Sequence, residues 1–273
     1  MNIPKYLCGG IGAGEWCKVS FKKIVKEHYL ARCNNVVIES MAPLYSSYDE
    51  KTKKYTADIS IVYPKLSAFL RTMESVGDVW VTLHLVNGGD GMLTQYGADA
   101  IIEHVLKPLA KEFPASKSHI IICPIAEMHG EPGEQQLVLA CIELWANAGG
   151  HLMFNGTGRP TSLVPGHDIL DYHSQKIDDP GPKIGRMSLV DTDNGPIIDY
   201  LKYGAAVGKY WNTLRVTDMA DRCKRAGNGL NLYAFNTTYI DRDALCALGK
   251  MYAVRPEPSF LDKLIMRLKL LFA

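Results

Sequence analysis

The sequence predicts an α/β protein in which eight strand–helix units form a closed (β/α)8 barrel. Short apolar runs alternate with longer helix-like segments along nearly all of the 273 residues, which is the pattern of βα units on a parallel sheet. Eight such runs can be counted, and about 250 residues is the usual size of such a barrel. A doubly wound open sheet stays possible, because a count of strands does not establish closure.

The eight predicted strands are short and apolar. They cover residues 6–10, 35–40, 78–85, 119–125, 150–155, 167–172, 187–191 and 230–235. Between them, apolar residues recur at the i, i+3, i+4 and i+7 spacing of amphipathic helices. The helices predicted in this way cover residues 19–33, 59–76, 98–113, 134–148 and 195–207.

We expect two parts in the chain, a barrel over residues 1–253 and a C-terminal extension over residues 254–273. The extension begins with the proline-containing linker VRPEPS and continues as an extra amphipathic helix. One face of this helix carries the apolar residues Leu261, Leu264, Ile265, Leu268 and Phe272, and basic residues stand around it. This pattern suggests that residues 259–273 bind an anionic membrane surface or a protein partner. A helix that packs back on its own barrel fits the same pattern.

Composition excludes several classes of function. The formal net charge is +1 without a long basic block, so we expect no nucleic-acid partner. The seven cysteines are scattered and form no Cys-x-x-Cys pair, which favours buried free thiols in a reducing compartment. No signal peptide or membrane-spanning run is expected, and the predicted location is cytoplasmic. The glycines in GGIGAG (9–14) match a dinucleotide-binding loop poorly, so no cofactor is predicted.

Candidate functional residues cluster after the predicted strands. Function in such barrels lies at the carboxyl ends of the strands. Within AEMHGEPGEQQ (126–136), Glu127 and Glu131 flank His129 directly after the most apolar strand, which indicates a place where protons are transferred. The other polar or aromatic candidates near strand ends are Trp16, His84, Asn155, Tyr172, His173, Asp191, Asp193 and Asn236.

These residues resemble the motifs of the retaining glycoside hydrolases of clan A, TIM-barrel enzymes that include the family-five cellulases and mannanases. The stretch Glu127-Met128-His129-Gly130-Glu131-Pro132 is similar to their fourth-strand Glu-x-x-Asn-Glu-Pro. The resemblance implies that Glu131 is the catalytic acid/base. Gly130 stands where these enzymes have the Asn that holds the 2-hydroxyl of the substrate.

Other stretches resemble the same family in their order along the chain. Val81-Thr82-Leu83-His84 is similar to its third-strand Asp-Leu-His, and residues 10–16, which end in Trp16, resemble its first-strand Gly-x-Asn-x-Gly-x-Trp. Asp171-Tyr172-His173 resembles its His-x-Tyr, with Gln175 in place of the Tyr. Asp193-Asn194-Gly195 stands where the family has the Glu-x-Gly of its nucleophile.

The resemblance implies a glycoside hydrolase that acts on a β-linked polysaccharide or glycoconjugate through paired carboxylates. Glu131 is the expected acid/base, Asp193 the second carboxylate with Asp191 as its competitor, and Glu127 a group that sets the protonation of its neighbours. Carbohydrate is the expected partner. The residues expected to contact it are Trp16, His84, His129, Asn155, Tyr172, His173, Asp191 and Asn236.

Three other interpretations use the same residues. The carboxylates and imidazoles can hold a divalent metal for hydrolysis or isomerisation, although their spacing matches no known ligand motif and no metal is predicted. The departures at Gly130 and Asp193 are compatible with a catalytically silent sugar-binding barrel. Finally, Glu127 and Glu131 can be a solvated i, i+4 pair at the start of a helix.

Overall fold

A computed structural model describes most of the chain. The described residues are 2–10, 21–38, 48–49, 51–52, 54–55, 58–77, 79–88, 91–156, 165–173, 187–191, 213–232, 242–252 and 256–272. Their strands are β1 (Cys8–Gly10), β2 (Asn35–Ile38), β3 (Tyr48–Asp49), β4 (Lys54–Tyr55), β5 (Trp80–Asn87), β6 (Ile120–Ala126), β7 (His151–Gly156), β8 (Ile169–His173), β9 (Met187–Asp191) and β10 (Gly229–Leu232).

The central feature is a curled sheet of eight parallel strands, and the α/β class is confirmed. The strands pair in the order β1-β10-β9-β8-β7-β6-β5-β2, and β1 pairs again with β2. This ring is thinnest at the junction between β1 and β2, where Gly9 and Asn35 are the one residue pair in register among the described residues. Each of the eight strands matches one of the apolar runs in the sequence. The short antiparallel hairpin of β3 and β4 lies outside this sheet and was not predicted.

Helices follow most strands, as expected for βα units. They are α1 (Phe21–Ala31), α2 (Val62–Val76), α3 (Met92–Tyr96), α4 (Ala98–Ile101), α5 (Lys107–Glu112), α6 (Glu134–Cys141), α7 (Thr213–Ala226), α8 (Arg242–Tyr252) and α9 (Phe260–Phe272). A 3₁₀ turn, Ile59–Ile61, precedes α2, and π-helical turns, Ile102–Leu106 and Ile142–Ala146, follow α4 and α6. Pro108 near the start of α5 lacks the N–H that a regular α-helix needs, which is one reason why the predicted 98–113 helix contains a π turn.

Several predicted boundaries differ from the structure. β5 spans Trp80–Asn87 rather than 78–85, because the apolar run continues through Val86. As a result, His84 lies inside the strand. The sequence analysis also did not predict α7 and α8, and the predicted helix 195–207 lies outside the described residues.

The core lies between the sheet and its helices. All seven residues of β6 are buried, as expected for a central parallel strand covered on both sides. A polar layer also lies within the ring of strands, where Thr82 Oγ1 donates to Asn35 Oδ1 at 3.0 Å and Asn35 Nδ2 donates to Asn231 Oδ1 at 3.3 Å. These hydrogen bonds offset the cost of burying the amides between β2, β5 and β10.

The described cysteines are free thiols, and most of them are buried. Cys8, Cys33, Cys123, Cys141 and Cys223 are buried, Cys246 is half-buried, and all six are free. Burial raises the pKa of the Cys141 thiol, so this thiol stays protonated. These side chains act as small apolar residues in the core.

The C-terminal helix α9 packs on the barrel, but not through the face that the sequence predicted. It lies against α1 and α2 and buries Met266 and Leu270, which are 2% and 7% exposed. The predicted face, by contrast, is exposed at Leu261, Leu264, Ile265 and Leu268, and the Phe272 side chain lies outside the described part. The alternative of a helix that packs back on its own barrel is therefore confirmed for α9, but the packing uses a second apolar stripe, Met266 and Leu270.

Candidate active site

The loop after β6 has a defined shape that begins at Glu127. The φ angle of Glu127 is 56°, a left-handed conformation that a residue with a side chain rarely adopts. The backbone N–H of Glu127 donates to Asn155 Oδ1 of β7 at 3.0 Å. Asn155 is 1% exposed, so a buried amide from the neighbouring strand holds the turn in place. Backbone strain of this kind often accompanies function.

Glu134 holds the other end of this loop. It is only 3% exposed, and its two carboxylate oxygens accept hydrogen bonds from the backbone N–H groups of His129 and Gly130, each at 2.9 Å. Hydrogen bonds to a carboxylate are stronger than those between neutral groups. Glu134 also lies in the first turn of α6, where the helix dipole favours a negative charge. Residues 127–133 are thus tied to both neighbouring elements.

Two glycines let the loop take this course. Gly130 has a φ angle of 77°, so an Asn there would be strained, and its N–H is used by Glu134. Gly88, just after β5, lies so close to the loop that an added Cβ would come within 1.9 Å of the Glu127 carbonyl oxygen and 2.7 Å of the His129 ring. The ends of β5 and β6 therefore meet at Gly88.

Glu127 and Glu131 both precede α6, which begins at Glu134. Both are half-buried, and His129 between them is exposed. The Glu131 carbonyl oxygen accepts from Glu134 N at 3.2 Å. The structure places both in the loop at the carboxyl end of β6, ahead of the first residue of α6.

His84 occupies a different position from the one that the sequence suggested. It lies three residues before the end of β5, in register with Cys123 of β6, and its exposed fraction is 0%. A side chain this deep reaches a bound molecule only from within the barrel. The sequence reasoning placed it at the strand end because β5 was predicted two residues too early.

Further candidates lie along the carboxyl ends of β7, β8 and β9. Asn155 pairs in register with Asp171, and His173 and Asp191 pair as the last residues of β8 and β9. Tyr172 precedes His173 in β8. The backbone thus brings these positions to the same rim as Glu127 and Glu131. The side chains of Tyr172, His173 and Asp191 lie outside the description, as do Trp16, Asp193 and Asn236 entirely.

Sequence reasoning missed Glu134 and Gly88. Glu134 was assigned only to the predicted helix 134–148, although an acidic residue in a first helical turn is a recognisable signal. Gly88 follows an apolar strand in Asn87-Gly88-Gly89, which indicates a turn. Neither signal shows which backbone groups the residue will contact. The contact of Gly88 joins the end of β5 to the loop after β6, and the contacts of Glu134 depend on how that loop folds.

The opposite end of the barrel also carries paired polar groups. At the starts of β6 and β7, His119 Nδ1 lies 3.4 Å from Glu74 Oε2, and His151 Nδ1 lies 2.8 Å from Asp168 Oδ2. Trp80 stands between the imidazoles, with ring centroids 5.2 Å from His119 and 5.7 Å from His151. Burial alone would raise the pKa of Glu74, but hydrogen bonds from the His119 ring and backbone lower it overall. Contacts at this end of a barrel typically contribute to stability rather than to catalysis.

Among the described residues, no cluster of three or more His, Cys, Asp or Glu side chains has the geometry of a metal site. In the same part of the chain, no helix combines the length and apolar character needed to cross a bilayer.

Comparison with known proteins gives a fold but no close relative. No family model and no curated protein matches the sequence. Among solved structures, a GH5 family lichenase from Caldicellulosiruptor sp. F32 is similar over 92% of this chain and 93% of its own, at 10% identity and a TM-score of 0.51. A β-mannanase from the blue mussel Mytilus edulis is similar over 89% and 91%, at 10% identity and a TM-score of 0.49.

A GH5-4 broad-specificity endoglucanase from Clostridium acetobutylicum is similar over 89% of this chain and 96% of its own, at 12% identity and a TM-score of 0.48. At identities this low, structural likeness shows the fold alone. The chain therefore shares its α/β fold with the GH5 family lichenase, and its activity must be argued from its own residues.

Proposed function

We propose that this chain is a (β/α)8-barrel glycoside hydrolase of the clan A type that cleaves a β-linked polysaccharide or glycoconjugate. The observation that carries the proposal is the loop after β6. This loop carries Glu131 four residues after the strained Glu127, and Asn155 and Glu134 hold its backbone at Glu127, His129 and Gly130. Rigid placement of a carboxyl group is what general acid catalysis requires.

In the proposed mechanism, Glu131 donates a proton to the leaving glycosidic oxygen. A second carboxylate, Asp193 or its competitor Asp191, acts on the opposite side of the sugar ring. Because Asp is one methylene shorter than Glu, the two carboxyl groups stand farther apart than in a pair of glutamates with the same backbone. A separation of about 6.5–9.5 Å admits a water molecule and gives inversion, whereas about 5–5.5 Å gives retention.

Glu127 is assigned a supporting part. Asn155 holds its backbone N–H, and its carboxylate is assigned the role of setting the protonation of the neighbouring groups in the loop. The exposed His129 and the rim positions Tyr172 and His173 are assigned to sugar contacts. The six free thiols among the described cysteines favour a reducing, cytoplasmic location for this activity.

Sugar release tests the proposal. The purified protein is incubated with β-glucans, mannans, chitin and peptidoglycan, and wild type is compared with Glu131→Gln. Glu143→Gln is the matched control, because Glu143 is an exposed glutamate on the π-helical turn after α6. We expect Glu131→Gln to lower release at least a hundred-fold, within the range for loss of a general acid, and Glu143→Gln to keep it.

The anomer of the released sugar then distinguishes retention from inversion, and parallel Asp193→Asn and Asp191→Asn variants identify the second carboxylate. No release from any substrate, or equal release by Glu131→Gln, would contradict the proposed hydrolase. Glycan binding without release would instead support a silent sugar-binding barrel, which agrees with Gly130 in place of the expected Asn.

A further inference from the structure

Helix α9 carries two apolar faces, of which only one is covered by the described residues. Met266 and Leu270 pack on the barrel. The outer residues are 61% exposed at Leu261, 42% at Leu264, 43% at Ile265, 46% at Leu268 and 72% at Leu271. We call these five residues the outer apolar face. Phe260, at the start of the helix, is 83% exposed.

The two faces point in opposite directions. At roughly 100° per residue, the outer apolar face spans an arc of about 120° whose centre lies about half a turn from Met266 and Leu270. The helix therefore presents its outer face directly away from the barrel. Exposed apolar residues gathered in this way mark an interaction site, unlike single ones scattered over a surface.

The start of α9 is fixed by a local cap. The Asp262 N–H donates to Ser259 Oγ at 3.2 Å, and the Ser259 N–H donates to Asp262 Oδ2 at 2.9 Å. This reciprocal arrangement is a capping box. The cap and the packing of Met266 and Leu270 hold α9 as a helix before any partner arrives, so binding has little ordering cost.

Positive charge borders the outer apolar face on both sides. At the same helical spacing, Arg267 lies next to one edge of the arc and Lys269 next to the other. Long basic side chains at the edges of an apolar helix face can reach the headgroup level while the apolar residues go deeper.

More cations lie beside α9 on the barrel itself. A groove of about 620 Å³ next to the helix is lined by apolar Leu30, Leu270 and Leu271 and by charged Lys22, Lys23, Lys26, Glu27, Arg242 and Arg267. Five of these charged residues are basic and one is acidic. The acid, Glu27, lies 3.9 Å from Lys23, and the five basic residues outnumber it, so the surface carries a positive excess.

We propose that the outer apolar face, together with the basic groove beside it, binds the surface of a membrane that contains anionic lipids. The apolar residues enter the boundary between headgroups and acyl chains, and the basic residues contact the lipid phosphates. The charge decides between occupants: a second copy of this face would bring like charges together, whereas an anionic bilayer complements them. This inference is independent of the proposed hydrolase activity.

Vesicle co-sedimentation of the 273-residue chain tests the proposal. The probes are phosphatidylcholine vesicles and vesicles in which one third of the lipid is phosphatidylglycerol. We expect binding to the anionic vesicles, weakened by salt, and much weaker binding to phosphatidylcholine alone. Absence of binding to the anionic vesicles at low salt, or equal binding to both, would overturn the proposal.

Two sets of variants locate the surface. Combined Leu264→Gln, Ile265→Gln and Leu268→Gln should lower partitioning at least ten-fold, while Ile61→Gln with Leu139→Gln, at exposed apolar residues elsewhere, should leave it unchanged. Combined Lys22→Gln, Lys26→Gln and Arg267→Gln should lower it about a hundred-fold, at roughly five-fold per charge. The control is Lys51→Gln, Lys111→Gln and Lys117→Gln, at exposed lysines distant in sequence from α9.

Thermal unfolding checks that each variant is folded, and the charge set tests the surface independently if the apolar set is not. Unchanged partitioning in both sets, or equal losses in the controls, would overturn the proposal. Sedimentation equilibrium without lipid addresses the rival occupant. A wild-type dimer that the apolar variant abolishes, without vesicle binding, would show that a second copy covers this face and would also overturn the proposal.

Discussion

Glu134→Ala tests whether one buried carboxylate fixes the candidate catalytic loop. The change removes two hydrogen bonds of 2.9 Å to the N–H groups of His129 and Gly130. Hydrogen bonds to charged groups contribute about 1.5–3 kcal/mol each. Because His129 and Gly130 are exposed, water replaces part of this loss. We therefore expect the free energy of unfolding to fall by about 2 kcal/mol, which is less than the roughly 3–6 kcal/mol that two such bonds would give without this replacement.

Urea unfolding measures this difference directly, and thermal unfolding should show a midpoint lower by about 4–8 °C for a chain of this size. Glu134→Gln keeps one carbonyl oxygen as an acceptor, so its loss should be about half as large. Gln135→Ala is the matched control, since Gln135 is the exposed neighbour in the same helical turn. If Glu134→Ala unfolds within about 0.5 kcal/mol of wild type, the range of ordinary surface substitutions, the carboxylate does not hold the loop.

Three further predictions concern the barrel. Gly88→Ala puts a Cβ 1.9 Å from the Glu127 carbonyl oxygen, so we expect a loss of about 1–3 kcal/mol in unfolding free energy and reduced sugar release if the proposed function holds. Gly9→Ala puts a Cβ 1.7 Å from a backbone oxygen of β2 at the thinnest junction of the ring, and should cost about 3 kcal/mol or more, at the upper end of overpacking. Burial raises the pKa of Glu74, but hydrogen bonds from His119 outweigh this effect and lower the pKa below its ordinary value of 4.5. The Glu74 carboxylate therefore stabilises the protein at pH values above 4.5. That stabilisation is lost as the pH falls through the lowered pKa, and Glu74→Gln should flatten this acid-side loss.

Each of these predictions has its own check. Urea unfolding of the two glycine variants is compared with wild type, and wild-type stability in either would show that the backbone yields without cost at that contact. For Glu74→Gln, unfolding is followed across a pH series below 4.5. An acid-side slope equal to that of wild type would mean that Glu74 contributes nothing to the pH dependence.

Much of the fold could be predicted because it depends on local patterns. Parallel strands buried on both faces appear in the sequence as continuous apolar runs, and all eight were found. Register was harder to predict: β5 extends two residues beyond its predicted end, which moved His84 from the rim to the interior. A continuous apolar run gives no alternation from which to fix its limits.

The candidate site could be predicted only in part. The order of the strands was enough to place Glu127, Glu131 and Asn155 near one rim, because the carboxyl ends of parallel strands meet there. The sequence could not show that Asn155 holds the Glu127 turn or that Glu134 closes the loop. The first of these contacts joins residues 28 positions apart, and the second depends on the left-handed turns at Glu127 and Gly130.

The sequence by itself determined the α/β class, the number of parallel strands and the amphipathic character of the last helix, since each is written in the local spacing of apolar residues. Only the tertiary structure decided which face of α9 packs on the barrel. Both Met266 and Leu264 are apolar, and the choice between their faces depends on the shape of the surface formed by α1 and α2. The structure likewise decided which backbone groups a buried carboxylate meets, because that depends on how the chain turns between β6 and α6.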